Sequence, residues 1–153
     1  MMHEYQRILV PVDGSKEADL AVTRAVQIVQ QNQATLDILN VLDTRQFSGS
    51  YGNLLTHDVI YRIAEDSKSY LDEMQKKALA AGLKEDQVKI HSRFGDPKTV
   101  IALDFLKDYH EDLIVIGSTG LNAVERLLVG SVSAYVTRNA LTDVMVVRPS
   151  REE

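Results

Sequence analysis

Short apolar segments rich in β-branched residues alternate along the chain with longer segments in which apolar residues recur every three or four positions. The short segments predict five strands, at Arg7–Val12, Ala34–Leu42, Gln87–Phe94, Asp112–Gly117 and Val144–Arg148. The last two are apolar at four consecutive positions, as is typical of strands that helices cover on both faces. Because strands that alternate with helices form parallel sheets, the pattern predicts an α/β fold with a doubly wound, five-stranded parallel sheet.

The longer segments predict four helices, each with one apolar face. Residues typical of helix ends mark their limits, because polar side chains accept the N–H groups of a first turn and glycine tolerates the backbone after a last turn. The markers are Ser15 for the first helix, Gly82 after the second, Asp96-Pro97 for the third and Gly130-Ser131 for the fourth. One connection, Asp43–Thr56, has the length of a functional lid or a mobile insertion.

Two strand orders are open to five strands of this class, and both place ligands at the carboxyl ends of strands beside a switch point. After the first strand, Asp13 stands where a carboxylate can accept hydrogen bonds from a ligand hydroxyl or amine, or meet a metal ion. Asp13-Gly14 also suits a tight turn in which Ser15 only caps the helix. The residues alone leave both interpretations of this turn open.

After the fourth strand the chain carries closely spaced small residues, namely Gly117, Ser118, Thr119 and Gly120, then Gly130, Ser131, Val132 and Ser133. Glycine lets a backbone approach a ligand without a Cβ in the way. The second group opens a helix, where unpaired N–H groups and the positive end of the dipole favour an anion, and its serines add hydroxyl donors. The segment predicts a phosphate cradle without lysine, with a glycine-containing loop before a serine-capped helix as the alternative. Its place at a strand end that the topology can bring beside Asp13 favours the cradle.

Signatures of other nucleotide-binding and catalytic proteins are missing from the sequence. It contains no P-loop and no Gly-x-Gly-x-x-Gly turn. A receiver domain would need paired acidic residues after the first strand and a lysine after the fifth, where this chain has Asp13-Gly14 and Arg148. The four histidines lack metal-ligand spacing, no serine lies in a Gly-x-Ser-x-Gly elbow, and there is no cysteine.

Composition narrows the function classes further. The 153 residues, 44% of them hydrophobic, fit one domain over residues 1–153. The net charge of −5, the absence of any Lys/Arg run longer than two and the aromatic content of 6% argue against nucleic acid as a partner. No apolar run exceeds four residues, and the first residues lack the apolar segment of a signal peptide. We therefore expect no membrane association and a cytoplasmic location.

The spacing Gly117-x2-Gly120-x9-Gly130-Ser131, together with Pro11-Val12-Asp13-Gly14-Ser15, resembles the ATP-binding branch of the universal stress protein family. The resemblance extends over nearly the whole chain. It implies an adenine nucleotide alpha hydrolase-like fold with strand order 3-2-1-4-5, which makes the first and fourth strands neighbours. It also implies a homodimer formed through the last strand, Val144–Arg148, whose apolar edge would otherwise be exposed.

The same resemblance implies a set of cofactor-binding residues. Asp13 would contact adenosine, while Val12 and Val41 would supply backbone and apolar contacts to adenine, with Pro11 beside them. Ribose and phosphates would be held by Gly117, Gly120, Gly130, Ser131, Val132 and Ser133.

Two positions depart from the family pattern. Thr142-Asp143 replaces a proline common before the last strand, and Thr119 replaces a basic residue. The first change concerns the dimer contact, and the second concerns an extra contact to phosphate.

The function expected from the sequence is ATP binding by a stress-response or signalling protein, with Mg²⁺ bound through the phosphates. Hydrolysis would be weak or absent, since apart from Asp13 the sequence indicates no carboxylate placed to orient water. A nucleotide-free dimeric interaction module is the alternative. An ATP-using enzyme of a related α/β class would need a catalytic constellation, and the sequence offers none.

Overall fold

The computed structural model describes residues 4–43, 45, 56–119 and 129–149, and the structural statements below concern these residues. Five strands form one parallel sheet in the order β3-β2-β1-β4-β5. They are β1 (Arg7–Pro11), β2 (Thr35–Leu42), β3 (Val88–Phe94), β4 (Leu113–Gly117) and β5 (Asp143–Val147). The structure confirms the predicted α/β fold, the order 3-2-1-4-5 and all five predicted strands, whose ends each differ from the prediction by no more than one residue.

Helices follow the strands as the sequence pattern predicts. They are α1 (Lys16–Asn32), α2 (His57–Ala80), α3, which consists of the segments Pro97–Thr99, Val100–Asp104 and Phe105–Tyr109, and α4 (Ser131–Asn139). A short 3₁₀ turn, Glu85–Gln87, precedes β3.

Two of the predicted helix caps are visible as hydrogen bonds. Ser15 Oγ accepts from the Ala18 N–H at 3.1 Å, and Asp96 Oδ1 accepts from the Lys98 N–H at 2.9 Å. The middle segment of α3 is π-helical, which the sequence did not predict. There the Ala102 carbonyl accepts from the Leu141 N–H at 3.3 Å, so a tertiary contact uses a group that a regular helix would keep for itself.

Two apolar cores lie on opposite faces of the sheet because side chains alternate along each strand. Ile8 and Val10 of β1 pack with α1 and α2 in one core, whereas Leu9 packs with α3 and α4 in the other. The sheet is therefore covered on both faces, as the continuously apolar strands predicted.

Candidate functional site

The pairing between the central strands β1 and β4 stops before either strand ends. They pair only at Ile8↔Leu113 and Leu9↔Ile114. Arg7 O accepts from the Asp112 N–H and Val12 N donates to Leu39 O, so the odd residues of β1 face β4 and the even ones face β2. The next odd residue is Pro11, which has no N–H to extend the ladder. The ladder therefore stops there. The chain leaves β1 and β4 toward helices on opposite faces of the sheet, and such a switch point forms a crevice at the carboxyl ends of the strands.

The turn after β1 presents Asp13 at this opening. Gly14 has a φ of +87°, which glycine adopts readily, and the Ser15 N–H donates to Asp13 Oδ1 at 3.0 Å. Ser15 then caps α1. The segment therefore forms the predicted tight turn with Ser15 as the helix cap, and Asp13 is exposed.

The end of β4 is tied to the start of α4 by two hydrogen bonds. The Gly130 N–H donates to Ser118 O at 2.6 Å, and Ser133 Oγ donates to Gly117 O at 2.6 Å. The Ser118 N–H in turn donates to Val147 O of β5 at 2.9 Å. These contacts hold the first turn of α4 directly against the carboxyl end of β4.

Gly117 is needed for packing as well as for any ligand. A Cβ built on it would lie 2.8 Å from the carbonyl carbon and oxygen of Glu17 in the first turn of α1. Backbone atoms cannot move aside cheaply, so only glycine lets α1 approach β4 this closely. The sequence interpretation assigned Gly117 to the ligand and missed this contact.

The first turn of α4 offers backbone N–H donors. Its N-cap residue, Gly130, adopts an extended conformation (φ −71°, ψ 168°) and carries no side chain that could cap the helix. The N–H groups of the residues that follow have no acceptor within the helix, and the helix dipole places partial positive charge there. Ser131 is exposed, so this end of α4 faces solvent. An anion fits this arrangement.

The hydroxyl of Ser133 is not available as a donor to a ligand in this structure. Its side chain is buried, and its hydroxyl proton is donated to Gly117 O. The side chain of Val132 packs on the core beneath α3 and α4. At the start of α4, these two residues can therefore offer a ligand their backbone N–H groups but not their side chains.

The apolar residues expected at the adenine ring lie on two faces of the sheet. Val12 is 4% exposed and belongs to the core beneath α1 and α2, whereas Val41 is half-buried at the edge of the other core. Pro11 pairs with Leu39 and is buried. The side chain of Val12 is thus buried, and its backbone N–H and C=O already bond to Leu39 O and Asn40 Nδ2.

Two expectations fall outside the described residues. Gly120 is one of them, and so is most of the predicted lid Asp43–Thr56. Of that connection, Arg45 is described: its guanidinium binds both carboxylate oxygens of Asp43 at 3.0 Å and lies 3.4 Å from Asp96 Oδ2. The hydrogen bond from Arg45 holds the pKa of the Asp43 carboxyl below its usual value.

A buried polar network beside Asp13 was missed by sequence reasoning. Asn40 Nδ2 donates to Val12 O at 2.7 Å, Ser67 Oγ donates to Asn40 Oδ1 at 2.8 Å, and the hydroxyls of Ser67 and Ser92 lie 2.7 Å apart. An amide within the apolar run of β2 was the available signal, because a buried polar group needs partners.

A second polar cluster lies toward the opposite, amino-terminal side of the sheet. Asp37 is buried, with Oδ1 at 2.7 Å from His91 Nε2 and Oδ2 at 3.5 Å from the Arg7 guanidinium. The side chain of Glu111 is fully buried, 4.0 Å from the same guanidinium. Among the described residues, neither Glu111 carboxyl oxygen has a hydrogen-bond partner.

The two acids of this cluster titrate in opposite directions. Burial raises the pKa of Glu111 to about 10, and the neighbouring carboxylate of Asp37 adds to the shift. Burial also acts to raise the pKa of Asp37, but the hydrogen bond from His91 and the charge of Arg7 outweigh it, so that pKa is lowered. At neutral pH, Asp37 is therefore ionised while Glu111 keeps its proton.

The described part of the chain lacks two further features. It contains no group of three or more His, Cys, Asp or Glu side chains that could hold a metal ion. It also contains no helix long and apolar enough to cross a membrane.

Comparison with known proteins gives consistent matches over this fold. The model of the universal stress protein family matches residues 4–148. A universal stress protein of Staphylococcus aureus (strain USA300) is 40% identical over 151 residues, which cover 96% of this chain and 86% of that protein.

Solved structures agree with that match. The universal stress protein UspA from Lactobacillus plantarum is 33% identical with a TM-score of 0.74, covering 94% of this chain and 98% of that one. A universal stress protein in complex with cAMP is 31% identical with a TM-score of 0.67, covering 95% and 98%. On this sequence match and this fold, the chain belongs to the universal stress protein family.

Proposed function

We propose that this protein binds an adenine nucleotide, ATP in the first place, in the opening between the carboxyl ends of β1 and β4, and that it serves stress response or signalling as a cytoplasmic homodimer. The observation that carries the proposal is the start of α4. A helix whose N-cap residue is a glycine is held against the end of a central strand, and its first residue, Ser131, is exposed.

In this proposal the phosphates bind the first turn of α4. The N–H groups of Ser131, Val132 and Ser133, with the hydroxyl of Ser131, donate to phosphate oxygens. Ser133 acts chiefly by holding the helix in place through Gly117 O. Hydrogen bonds to a charged acceptor contribute roughly 1.5–3 kcal/mol each, so three or four give micromolar affinity after the cost of ordering the ligand. Gly120 would add to this cradle.

The nucleoside would bind at the end of β1. Asp13 accepts hydrogen bonds from the ribose or the base, and Pro11, Val12 and Val41 border the adenine ring. An exposed carboxylate fits this role because it can accept from a hydroxyl or an amino group. The similarity to a universal stress protein in complex with cAMP supports an adenine nucleotide as the ligand class.

Mg²⁺ would accompany the phosphates and be held mainly by phosphate oxygens and water, as is usual for this ion. We propose little or no hydrolysis. Phosphoryl transfer needs a group that positions water or accepts its proton, and the amides and hydroxyls of the cradle are not bases.

The edge position of β5 supports a homodimer through Val144–Arg148. This strand pairs only with β4 among the described strands, Met145 is half-buried, and nearby Leu141 is 64% exposed. A second copy would cover this edge. Sedimentation analysis of the purified protein tests the proposal, and a monomer at micromolar concentration contradicts it.

Calorimetric titration with ATP and AMP, with and without Mg²⁺, tests the nucleotide proposal. We expect saturable binding of ATP at micromolar concentration and a protein-dependent release of phosphate no faster than a few turnovers per hour. Absence of saturable binding below millimolar concentration contradicts it and favours the nucleotide-free interaction module. Mass spectrometry of denatured, freshly purified protein adds an independent readout, since a tightly bound nucleotide copurifies.

A further inference from the structure

The peptide groups on both sides of Asp13 are held by side chains from outside its own turn. On the amino side, Val12 O accepts from Asn40 Nδ2 at 2.7 Å in a buried contact. On the carboxyl side, the Gly14 N–H donates to Tyr70 Oη at 2.8 Å. Asp13 itself makes a local hydrogen bond with the Ser15 N–H. Two residues distant in sequence therefore help to fix the backbone from which the Asp13 side chain projects.

The amide of Asn40 has one defined orientation. Its Nδ2 donates to Val12 O, and its Oδ1 accepts from Ser67 Oγ at 2.8 Å, which fixes which end of the amide faces β1. The hydroxyl of Ser67 also meets Ser92 Oγ of β3 at 2.7 Å. Because the network is largely buried, rotating the Asn40 amide would leave a donor or an acceptor without a partner.

Ser67 and Tyr70 belong to the same helix. They are three residues apart in α2, so they lie on the same face of that helix. That face contacts Asp13's turn twice, through Asn40 on one side and directly through Tyr70 on the other. Burial raises the pKa of Tyr70 to about 12, so its hydroxyl remains neutral at physiological pH and does not repel the carboxylate of Asp13.

We propose that Tyr70 and Asn40 are positioning residues that direct Asp13 toward the nucleoside, so that α2 sets the specificity of the site for a nucleoside over a bare polyphosphate. This inference rests on the proposed nucleotide binding and deepens it. The phosphate cradle of α4 is fixed to β4 by separate hydrogen bonds, so the two halves of the site depend on different contacts.

Tyr70→Phe tests the inference because it removes one hydroxyl and keeps the ring that packs against the core. Calorimetry measures dissociation constants for ATP, adenosine and tripolyphosphate. Loss of one hydrogen bond to the backbone predicts affinity for ATP and adenosine about three- to tenfold weaker, and unchanged affinity for tripolyphosphate. Tyr61→Phe is the matched control, because Tyr61 is a tyrosine of the same helix that is 68% exposed, and we expect it to bind all three ligands like wild type.

Ser67→Ala provides a second variant with intact Tyr70. It removes the donor that orients the Asn40 amide, and we expect a smaller loss, about two- to threefold, again confined to ATP and adenosine. Failure of the wild-type protein to bind ATP overturns the proposed function. If wild type binds ATP and Tyr70→Phe binds ATP and adenosine equally well, the nucleotide site stands and the positioning role is wrong. If the affinities for ATP, adenosine and tripolyphosphate fall equally, the positioning role is also wrong, because Tyr70 would then only stabilise the fold.

Discussion

The two ends of the sheet use polar groups in opposite ways. At the carboxyl ends of β1 and β4, the donors are backbone N–H groups at the start of α4, and Asp13 is exposed. Toward the amino ends, Asp37 and Glu111 are buried with Arg7 and His91 as neighbours. One end thus keeps polar groups available to solvent, while the other satisfies its charges within the protein.

The comparison of the two ends shows that acidic residues with shifted pKa values do not by themselves locate a ligand site. The strongest pKa shift in the described chain belongs to Glu111, and its side chain is inaccessible to any ligand. Groups with shifted pKa values are frequent at functional sites, yet clusters of charged residues that only stabilise the fold shift pKa values as well. Here the exposed end, whose donors carry no net charge, has the geometry for an anion.

The largest expected effect concerns the buried cluster. Glu111 has a folded pKa of about 10 against an ordinary 4.5, so folding takes up a proton between these values. Its stabilising contribution is complete below pH 4.5 and is lost as the pH rises toward 10, by about 1.4 kcal/mol per pH unit. Glu111→Gln removes this loss and should raise the free energy of unfolding at pH 7 by about 3 kcal/mol.

Urea denaturation of wild type and Glu111→Gln between pH 5 and 9 measures this effect. The exposed Glu65 provides the control Glu65→Gln, for which we expect the wild-type pH profile. Parallel profiles for wild type and Glu111→Gln would show that Glu111 is ionised in the folded protein.

The next largest effect concerns the opposite end. Gly130→Val places a branched side chain at the N-cap of α4, where the phosphates must approach, and should weaken ATP binding at least about 100-fold, equal to about 2.8 kcal/mol. The backbone of Gly130 is extended and sterically allows any residue, but valine is a poorer N-cap than glycine, so we expect a loss of stability of about 1 kcal/mol in a protein that still folds. Thr137→Val places the same residue type at an exposed position of the same helix, and this variant should bind ATP like wild type. Wild-type affinity in Gly130→Val contradicts the phosphate cradle.

Gly117→Ala tests whether the carboxyl end of β4 is also needed for the close packing of α1 against the sheet. Its Cβ would lie 2.8 Å from backbone atoms of Glu17, and overpacking of this kind costs about 1–3 kcal/mol. Urea denaturation should show this loss of stability in the absence of nucleotide. An unchanged unfolding midpoint would mean that α1 moves away from β4 at little cost.

The smallest effect separates the two halves of the ligand. Asp13→Ala should weaken adenosine binding about tenfold while leaving tripolyphosphate binding equal or tighter, because a negative charge is removed. Asp19→Ala, which removes a nearby charge in α1, serves as the control for electrostatics. If both variants change adenosine binding equally, Asp13 acts only through its charge.

The sequence predicted the fold well because local patterns carry it. Apolar runs located the strands, and capping residues such as Ser15 and Asp96 located helix starts to within a residue. These features depend on neighbours in sequence. The proposed site residues followed from the same logic, since Asp13 and Gly130 come directly after strand ends or at a helix start.

Contacts between distant segments could not be predicted in this way. The demand for glycine at 117 comes from α1, a hundred residues away in sequence, and the engagement of Ser133 with Gly117 O depends on how α4 docks. Asn40 and Glu111 are recognisable in sequence only as polar residues near apolar strands. Which of them would be buried, and beside what, is set by the packing of α2 and α3.

Pro11 also bears on how fast a ligand could be captured. Because the imino nitrogen cannot bridge to β4, no pair of strand hydrogen bonds has to break before a molecule enters between β1 and β4. For a ligand that binds there, we expect the association rate to be limited by diffusion and orientation rather than by opening of the sheet.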